Sequence, residues 1–326
     1  ILDHRTMSKI DYSEVKGQHE AKRALEISAA GGHNCLLIGS PGAGKTMLAK
    51  RLTTILPDMT FEEALEVTKI HSIAGMTKKS QLITERPFRN PHHTASKVAL
   101  IGGGKDAKPG EISLAHRGIL FLDELPEFNK TSLEVLRLPI EDRKVLISRA
   151  SKTCEYPSNF MLIASMNPCP CGYYGSNEKE CTCSSNEIAK YIHKISGPLL
   201  DRIDIQVEVQ NVEYKKMIET RQEESSQEIR KRVNKARKIQ EERYKEYNIF
   251  SNAELTPKLI EKYCKIDSES KALLETAFKK LNLSSRAYNR ILKVSRTIAD
   301  LNGREEIIKS DIAEAIQYRS LDKKYF

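Results

Sequence analysis

Gly39-Ser40-Pro41-Gly42-Ala43-Gly44-Lys45-Thr46 is the stretch whose reading decides the fold. It follows an apolar run, Asn34 to Gly39 (NCLLIG), that reads as a fully buried strand, and it opens Lys45 to Ile55, which reads as a helix closed by Pro57. A G-x-x-x-x-G-K-[ST] stretch between a strand and a helix is a phosphate-binding loop; a chance Gly-rich turn would lack those flanks. The glycines let backbone N–H groups converge on phosphate oxygens at a helix N-terminus. Lys45 is placed to neutralise the β and γ phosphates, and Thr46 offers its hydroxyl to Mg²⁺.

Working outward, Gly118 to Asp123 (GILFLD) and Phe160 to Ser165 (FMLIAS) read as two more buried strands, and Ile203 to Val209 (IDIQVEV) as a fourth that alternates. Short apolar strands separated by helices predict an α/β fold: a P-loop parallel-sheet core with helices on both faces. Between Asp58 and Gly110 the pattern weakens, which predicts irregular insertions rather than plain crossovers. From Glu213 onward no strand signal remains. Tyr214 to Tyr247 reads as one long charged helix, followed by helices near 257–265, 270–281, 284–301 and 310–319, with Thr256, Ser284 and Ser310 as expected N-caps. Residues 1–212 are thus expected to form the ATPase core and 213–326 an all-helical lid domain.

The 326 residues suffice for about two domains. No apolar run approaches the roughly 18 residues that span a bilayer, so no membrane partner is expected. Ile1 to Tyr12 lacks the apolar stretch of a signal peptide, and the first residue is Ile rather than Met, which suggests a piece of a longer cytoplasmic protein. Residues 213–326 hold 26 Lys+Arg against 19 Asp+Glu, so most of the formal +9 charge lies there. That balance is compatible with a polyanionic partner such as DNA.

Ile119 to Leu122 runs straight into Asp123-Glu124. Adjacent strand-end residues point in different directions, so Asp123 is expected to hold Mg²⁺ and Glu124 to activate the attacking water. No Asn-Lys-x-Asp guanine-reading motif occurs, since Thr131-Ser132 follows Asn129-Lys130, which favours ATP. Asn167 follows the third strand at a γ-phosphate sensor position; the alternative is a turn Asn before Pro168. Cys169, Cys171, Cys181 and Cys183 are spaced to hold one structural zinc, with His193 as a possible substitute ligand. Cys35, Cys154 and Cys264 have no partner spacing and read as buried thiols. Lys144 to Arg149 and Thr153 to Tyr156 read as a β-hairpin, with Arg149 and Lys152 near its tip.

Several further segments resemble one family. They are Val15-Lys16-Gly17-Gln18 with Ala21-Lys22-Arg23-Ala24-Leu25, Arg86-Pro87-Phe88-Arg89 with Pro91-His92-His93-Thr94, Pro109-Gly110-Glu111-Ile112-Ser113-Leu114-Ala115-His116, Asn167-Pro168-Cys169-Pro170-Cys171-Gly172 and Gly197-Pro198-Leu199-Leu200-Asp201-Arg202-Ile203-Asp204. Together they look like the magnesium chelatase-like AAA+ ATPases of the ComM/YifB type, over essentially the whole chain. The resemblance implies an ATP-promoted hexameric ring with a helix-2 insert at about 68–110 and a pre-sensor hairpin at about 144–157. It also implies a Lon-protease-like N-terminal domain in full-length members. In that pattern Arg202 is the arginine finger that reaches a neighbour's ATP, and Arg286 the second sensor from the lid, with Arg290 and Arg296 on the same helix. Arg86, Arg89, His92 and His93 would line a pore or a subunit contact. Arg149 and Lys152 would point into the channel and track DNA phosphates.

The reading this favours is an ATP-driven DNA helicase promoting branch migration, as ComM proteins do in natural transformation. A chelatase-like motor that remodels a protein partner would use the same ATPase residues. A nucleotide-switched assembly scaffold would have no use for the water-activating Glu124.

Overall fold

The structure, a computed structural model, describes residues 10–77, 82–104, 106–149, 152–176, 179–212, 223–281 and 283–326. Its strands in chain order are β1 Cys35–Ile38, β2 Phe88–Arg89, β3 Gly102–Gly103, β4 Lys108–Pro109, β5 Ile119–Leu122, β6 Lys144–Arg149, β7 Lys152–Pro157, β8 Met161–Met166 and β9 Ile205–Glu208. The α/β core is built on the parallel strands β1, β2, β5, β8 and β9, and every described element after β9 is helical. No described helix is long and apolar enough to cross a membrane. The chain divides into two compact units, residues 58–170 with 183–202, and residues 10–57 with 171–182 and 203–326.

In the first unit, β2, β5 and β8 pair in parallel in that order, with Phe88 opposite Ile119 and Ile119 opposite Met161. All four β5 side chains are completely buried, each worth roughly 1.5–3 kcal/mol of apolar transfer. The segment expected to be irregular opens with a regular helix, Phe61–Ile73. Thr60 and Glu63 form a reciprocal capping box that sets its start in the absence of a long apolar stripe. Glu63 turns back into an ion-pair cluster, where Arg86 reaches its carboxylate at 2.8 Å. Arg117 and His116 converge on Glu66 at 2.9 and 3.0 Å. Arg89 grips Glu111 through two bonds of 2.6 and 2.7 Å. Arg86 and Arg89, expected at a pore or subunit contact, are thus each engaged by a carboxylate of their own chain.

The β6–β7 hairpin forms where the sequence placed it, with Val145 opposite Tyr156 and Arg149 opposite Lys152. Ala150 and Ser151, between the two strands in sequence, lie outside the described residues. So do the side chains of Arg149 and Lys152, on which the DNA contact rests.

In the second unit β1 and β9 run parallel, Cys35 opposite Ile205 and Ile38 opposite Glu208. β9 does not alternate as the sequence suggested: Ile205, Gln206 and Val207 are all buried. Helix His19–Gly31 ends at Gly32, and helix Ser226–Arg243 covers its last turn. Arg237 and Gln240 donate to the free carbonyls of Ala29 and Ala30 there. Arg243 and Asn252 both bind the buried carboxylate of Asp300 on helix Ser285–Leu301. Ser284 caps that helix as expected. Ser310, by contrast, lies inside helix Lys309–Gln317, whose N-terminal backbone is served by Asp311 instead. Burial pushes the Cys35 and Cys264 thiols up to about 12. Cys154 is only half-buried, contrary to expectation, because it sits on the hairpin.

The hydrogen bond from His116, working against burial and aided by Arg117, holds the Glu66 carboxyl down at about 2. A carboxyl depressed in the fold stabilises it above the unfolded value of 4.5, and that contribution is lost as pH falls toward 2. Denaturant unfolding followed across that window should show stability falling with pH, and Glu66→Gln should make the decline shallower. An identical acid limb in the variant would take Glu66 out of this role.

Candidate functional site

The phosphate-loop residues sit in the second unit. Gly39 leaves β1 so close to the end of β9 that a Cβ there would lie 2.2 Å from the Val209 carbonyl oxygen. The loop then turns through Gly42 and Gly44, at φ 80° and 92°, into helix Lys45–Arg51. Ser40 and Lys45 are buried, whereas Pro41 and Gly42 are exposed. Lys45 Nζ donates to the carbonyls of Gly39 at 2.7 Å and Ser40 at 2.9 Å, so the ammonium lies over the concave side of the loop. Thr46 is the second residue of the helix, with backbone N–H groups of the first turn around it.

Gln18, which the sequence reading quoted only as part of a motif, proves to be a loop clamp. Held at a left-handed φ of 57°, it donates its amide to Ala43 O at 3.2 Å and also to Gln210 O. Its position two residues after Lys16 and next to Gly17 carried no chemical signal, since the bond spans 25 residues.

Arg286 is exposed in the first turn of helix Ser285–Leu301. Two further arginines lie along the same helix. Arg290 lies 3.5 Å from Asp204, which also faces the fully buried His33 at 3.4 Å. Despite burial, the contact with His33 and the charges of Arg290 and Lys293 hold the Asp204 carboxyl down at about 2. Arg296 is buried against Asp300 and the carbonyls of Arg304 and Glu305.

The acid pair sits in the first unit. Asp123 ends β5, where the hydroxyl of buried Ser165 on the neighbouring β8 donates to its carboxylate. Glu124 takes a left-handed backbone at φ 54° and ψ 51°, uncommon for a side chain of this kind, with its N–H 3.2 Å from both Asp123 Oδ1 and Ser165 Oγ. The two carboxylates differ in exposure, Asp123 half-buried and Glu124 61% exposed. His93 Nδ1 stands 4.0 Å from Glu124, its ring 4.1 Å from that of His92. His93 thus stands beside Glu124 of the acid pair. Asn167 follows β8 half-buried.

Arg202 closes this unit, its guanidinium bonded to Glu141 and to the Pro198 carbonyl of the same subunit. The four sulfurs of Cys169, Cys171, Cys181 and Cys183 lie within 4.8 Å of one another, Cys171 and Cys181 at 3.6 Å. Four Zn–S bonds of about 2.3 Å set tetrahedral S–S separations near 3.8 Å, so the group fits zinc. His193 is not part of it; its Nδ1 turns to the Ala189 carbonyl at 2.6 Å.

A P-loop followed by an acid pair at the end of a buried parallel strand defines a P-loop ATPase of AAA+ type, and the chain belongs to the magnesium chelatase family. The family "Magnesium chelatase, subunit ChlI" matches residues 11–217, and its C-terminal counterpart residues 223–319. Competence protein ComM of Haemophilus influenzae is 46% identical over 313 residues, covering 96% of this chain and 60% of that protein. The uncharacterized protein YifB of Escherichia coli is 45% identical over 317 residues, 96% of this chain and 61% of YifB. A magnesium-chelatase subunit ChlI homolog of Methanocaldococcus jannaschii is 22% identical over 336 residues, 94% of this chain and 83% of that protein. The chain thus spans about three fifths of the ComM and YifB lengths.

Gln18→Ala should loosen the phosphate loop without touching its chemistry. Losing one such bond costs roughly 1 kcal/mol, so amides of residues 42–45 should exchange with solvent about fivefold faster. Hydrogen exchange unchanged there would show the clamp to be dispensable.

Proposed function

We propose that the protein is an ATP-hydrolysing cytoplasmic AAA+ motor that assembles as a hexameric ring and moves DNA strands, promoting branch migration. The observation that carries the ATPase reading is the strand-end pair Asp123-Glu124, with its left-handed turn at Glu124, in a chain that also holds a complete phosphate loop. The DNA reading leans on the likeness to competence protein ComM and on the basic C-terminal third.

In this reading Gly39 to Thr46 bind the triphosphate, Lys45 facing its β and γ groups. Thr46 and Asp123 would hold Mg²⁺, which supplies charge neutralisation when bound. Glu124 accepts a proton from the attacking water, Asn167 senses the γ phosphate, Arg286 reaches from the lid and Arg202 serves a neighbouring subunit. The four cysteines hold a structural zinc with no open position. Arg149 and Lys152 contact DNA phosphates. Residues 1–212 act as the core and 213–326 as the lid.

Because Arg202 is engaged by Glu141 within its own subunit, service in trans requires that pair to open. A second reading, a chelatase-like remodeller of a protein partner, is favoured by the family match and by the ChlI homolog.

DNA-stimulated ATPase activity separates the two. Branched DNA should raise turnover in the wild type, and Glu124→Gln should keep nucleotide binding while abolishing turnover. Loss of less than about tenfold, roughly 1.4 kcal/mol, would exclude Glu124 as the base. Activity indifferent to DNA would favour the protein remodeller.

Subunit mixing examines Arg202. Arg202→Ala and Lys45→Ala chains should each be nearly inactive, yet mixed rings should regain activity at interfaces that pair an intact site with an intact finger. Mixtures that never exceed the sum of the two would place Arg202 in a role within its own subunit.

A further inference from the structure

The four-cysteine loop touches the phosphate loop. Gly172, next to the ligand Cys171, sits at φ 87°, and a Cβ there would lie 2.5 Å from Cδ and 2.7 Å from Cγ of Pro41. Its Cα hydrogen is therefore packed on the pyrrolidine ring of the one proline in the phosphate loop, a residue otherwise exposed. A few residues on, the loop is anchored again. Tyr174 meets Tyr325 edge to face at 6.3 Å, and Lys324 lies 3.6 Å from where a Gly175 Cβ would be. Lys324 and Tyr325 both bind Glu208, the last residue of β9. The next residue, Val209, is the one whose carbonyl closes on Gly39.

Residues 171–176 thus bridge two supports of the phosphate loop, the end of β9 beneath it and Pro41 on its open side. On the reading of the cysteines as a zinc site, we propose that metal occupancy of this loop sets the affinity of the phosphate loop for nucleotide. The loaded cluster fixes Cys171, which holds Gly172 against Pro41 and keeps Ser40 to Gly44 in the phosphate-binding shape. With the sulfurs unlinked, the phosphate loop must be ordered by the nucleotide itself. Ordering two glycines and their neighbours at the moment of binding lowers affinity, because preorganisation is what the rigid brace supplies. Energetic coupling of this kind is reciprocal, so bound nucleotide must also slow the loss of metal.

The test uses the 326-residue chain purified without chelators, zinc measured by atomic emission and affinity by titration with a fluorescent ATP analogue in Mg²⁺. About one zinc per chain is expected. Stripping it with a chelator selective for zinc over magnesium should weaken analogue binding about tenfold, or about 1.4 kcal/mol. Gly172→Ala should keep its zinc and weaken binding to a similar degree, since the added methyl pushes the loop off Pro41. Saturating analogue should slow zinc transfer to the chelator in the wild type but not in Lys45→Ala, a readout on folded, loaded protein that general unfolding would not produce. One zinc per chain with affinities equal within twofold would overturn the coupling and leave the zinc site standing. Protein without zinc would overturn the site and the coupling together. Gly172→Ala binding like wild type would overturn the Pro41 contact as the route.

Discussion

Parallel pairing of fully buried strands is the constraint on which the rest depends. A strand covered on both faces spends its whole length on packing, so chemistry is confined to the residues just past its end. The phosphate loop follows β1, Asp123-Glu124 follow β5, and Asn167 follows β8. Each group stands on a scaffold that cannot shift without breaking a ladder. Small local devices then aim the side chains: Ser165 on β8 holds the Asp123 carboxylate, and Glu124 beside it takes a left-handed turn.

Most of this was legible because the signals are local. NCLLIG, GILFLD and FMLIAS are too apolar and too short to be anything but buried strands, and the structure places β1, β5 and β8 within a residue or two of the expected bounds. The hairpin was legible from two short extended runs. What escaped has long range or shared causes. Helix Phe61–Ile73 hides because its start is set by a capping box rather than by a long apolar stripe. Gln18 is invisible because its partners lie at Ala43 and Gln210. His93 was grouped with its neighbours in sequence, whereas its distance to Glu124 comes from the pairing of β2 with β5.

Arginine is where motif reading and structure part company. Arg86 and Arg89 were expected at a pore or subunit contact, yet they, like Arg117 and Arg243, each bind a carboxylate of their own chain with bond geometry that only the fold could fix. Glu63 and Asp300 are buried, and a buried acid left without its cation costs several kcal/mol, so these pairs are obligatory partners once formed. Exposure differs along a single helix: Arg286 is exposed in the first turn while Arg296 is buried.

The second unit is discontinuous. β1 pairs with β9 about 170 positions later, and the carbonyls that end helix His19–Gly31 are met by Arg237 and Gln240. On the ribosome, at roughly 5–20 residues per second, β1 emerges about 10–30 s before β9 exists. During that interval the edge of CLLI that β9 covers and the helix end that Arg237 and Gln240 meet wait for residues not yet made, the kind of exposure through which chains aggregate or recruit holdases. The segment 58–170 can pair β2, β5 and β8 among themselves meanwhile, so vectorial synthesis favours completing that unit first and the discontinuous one last.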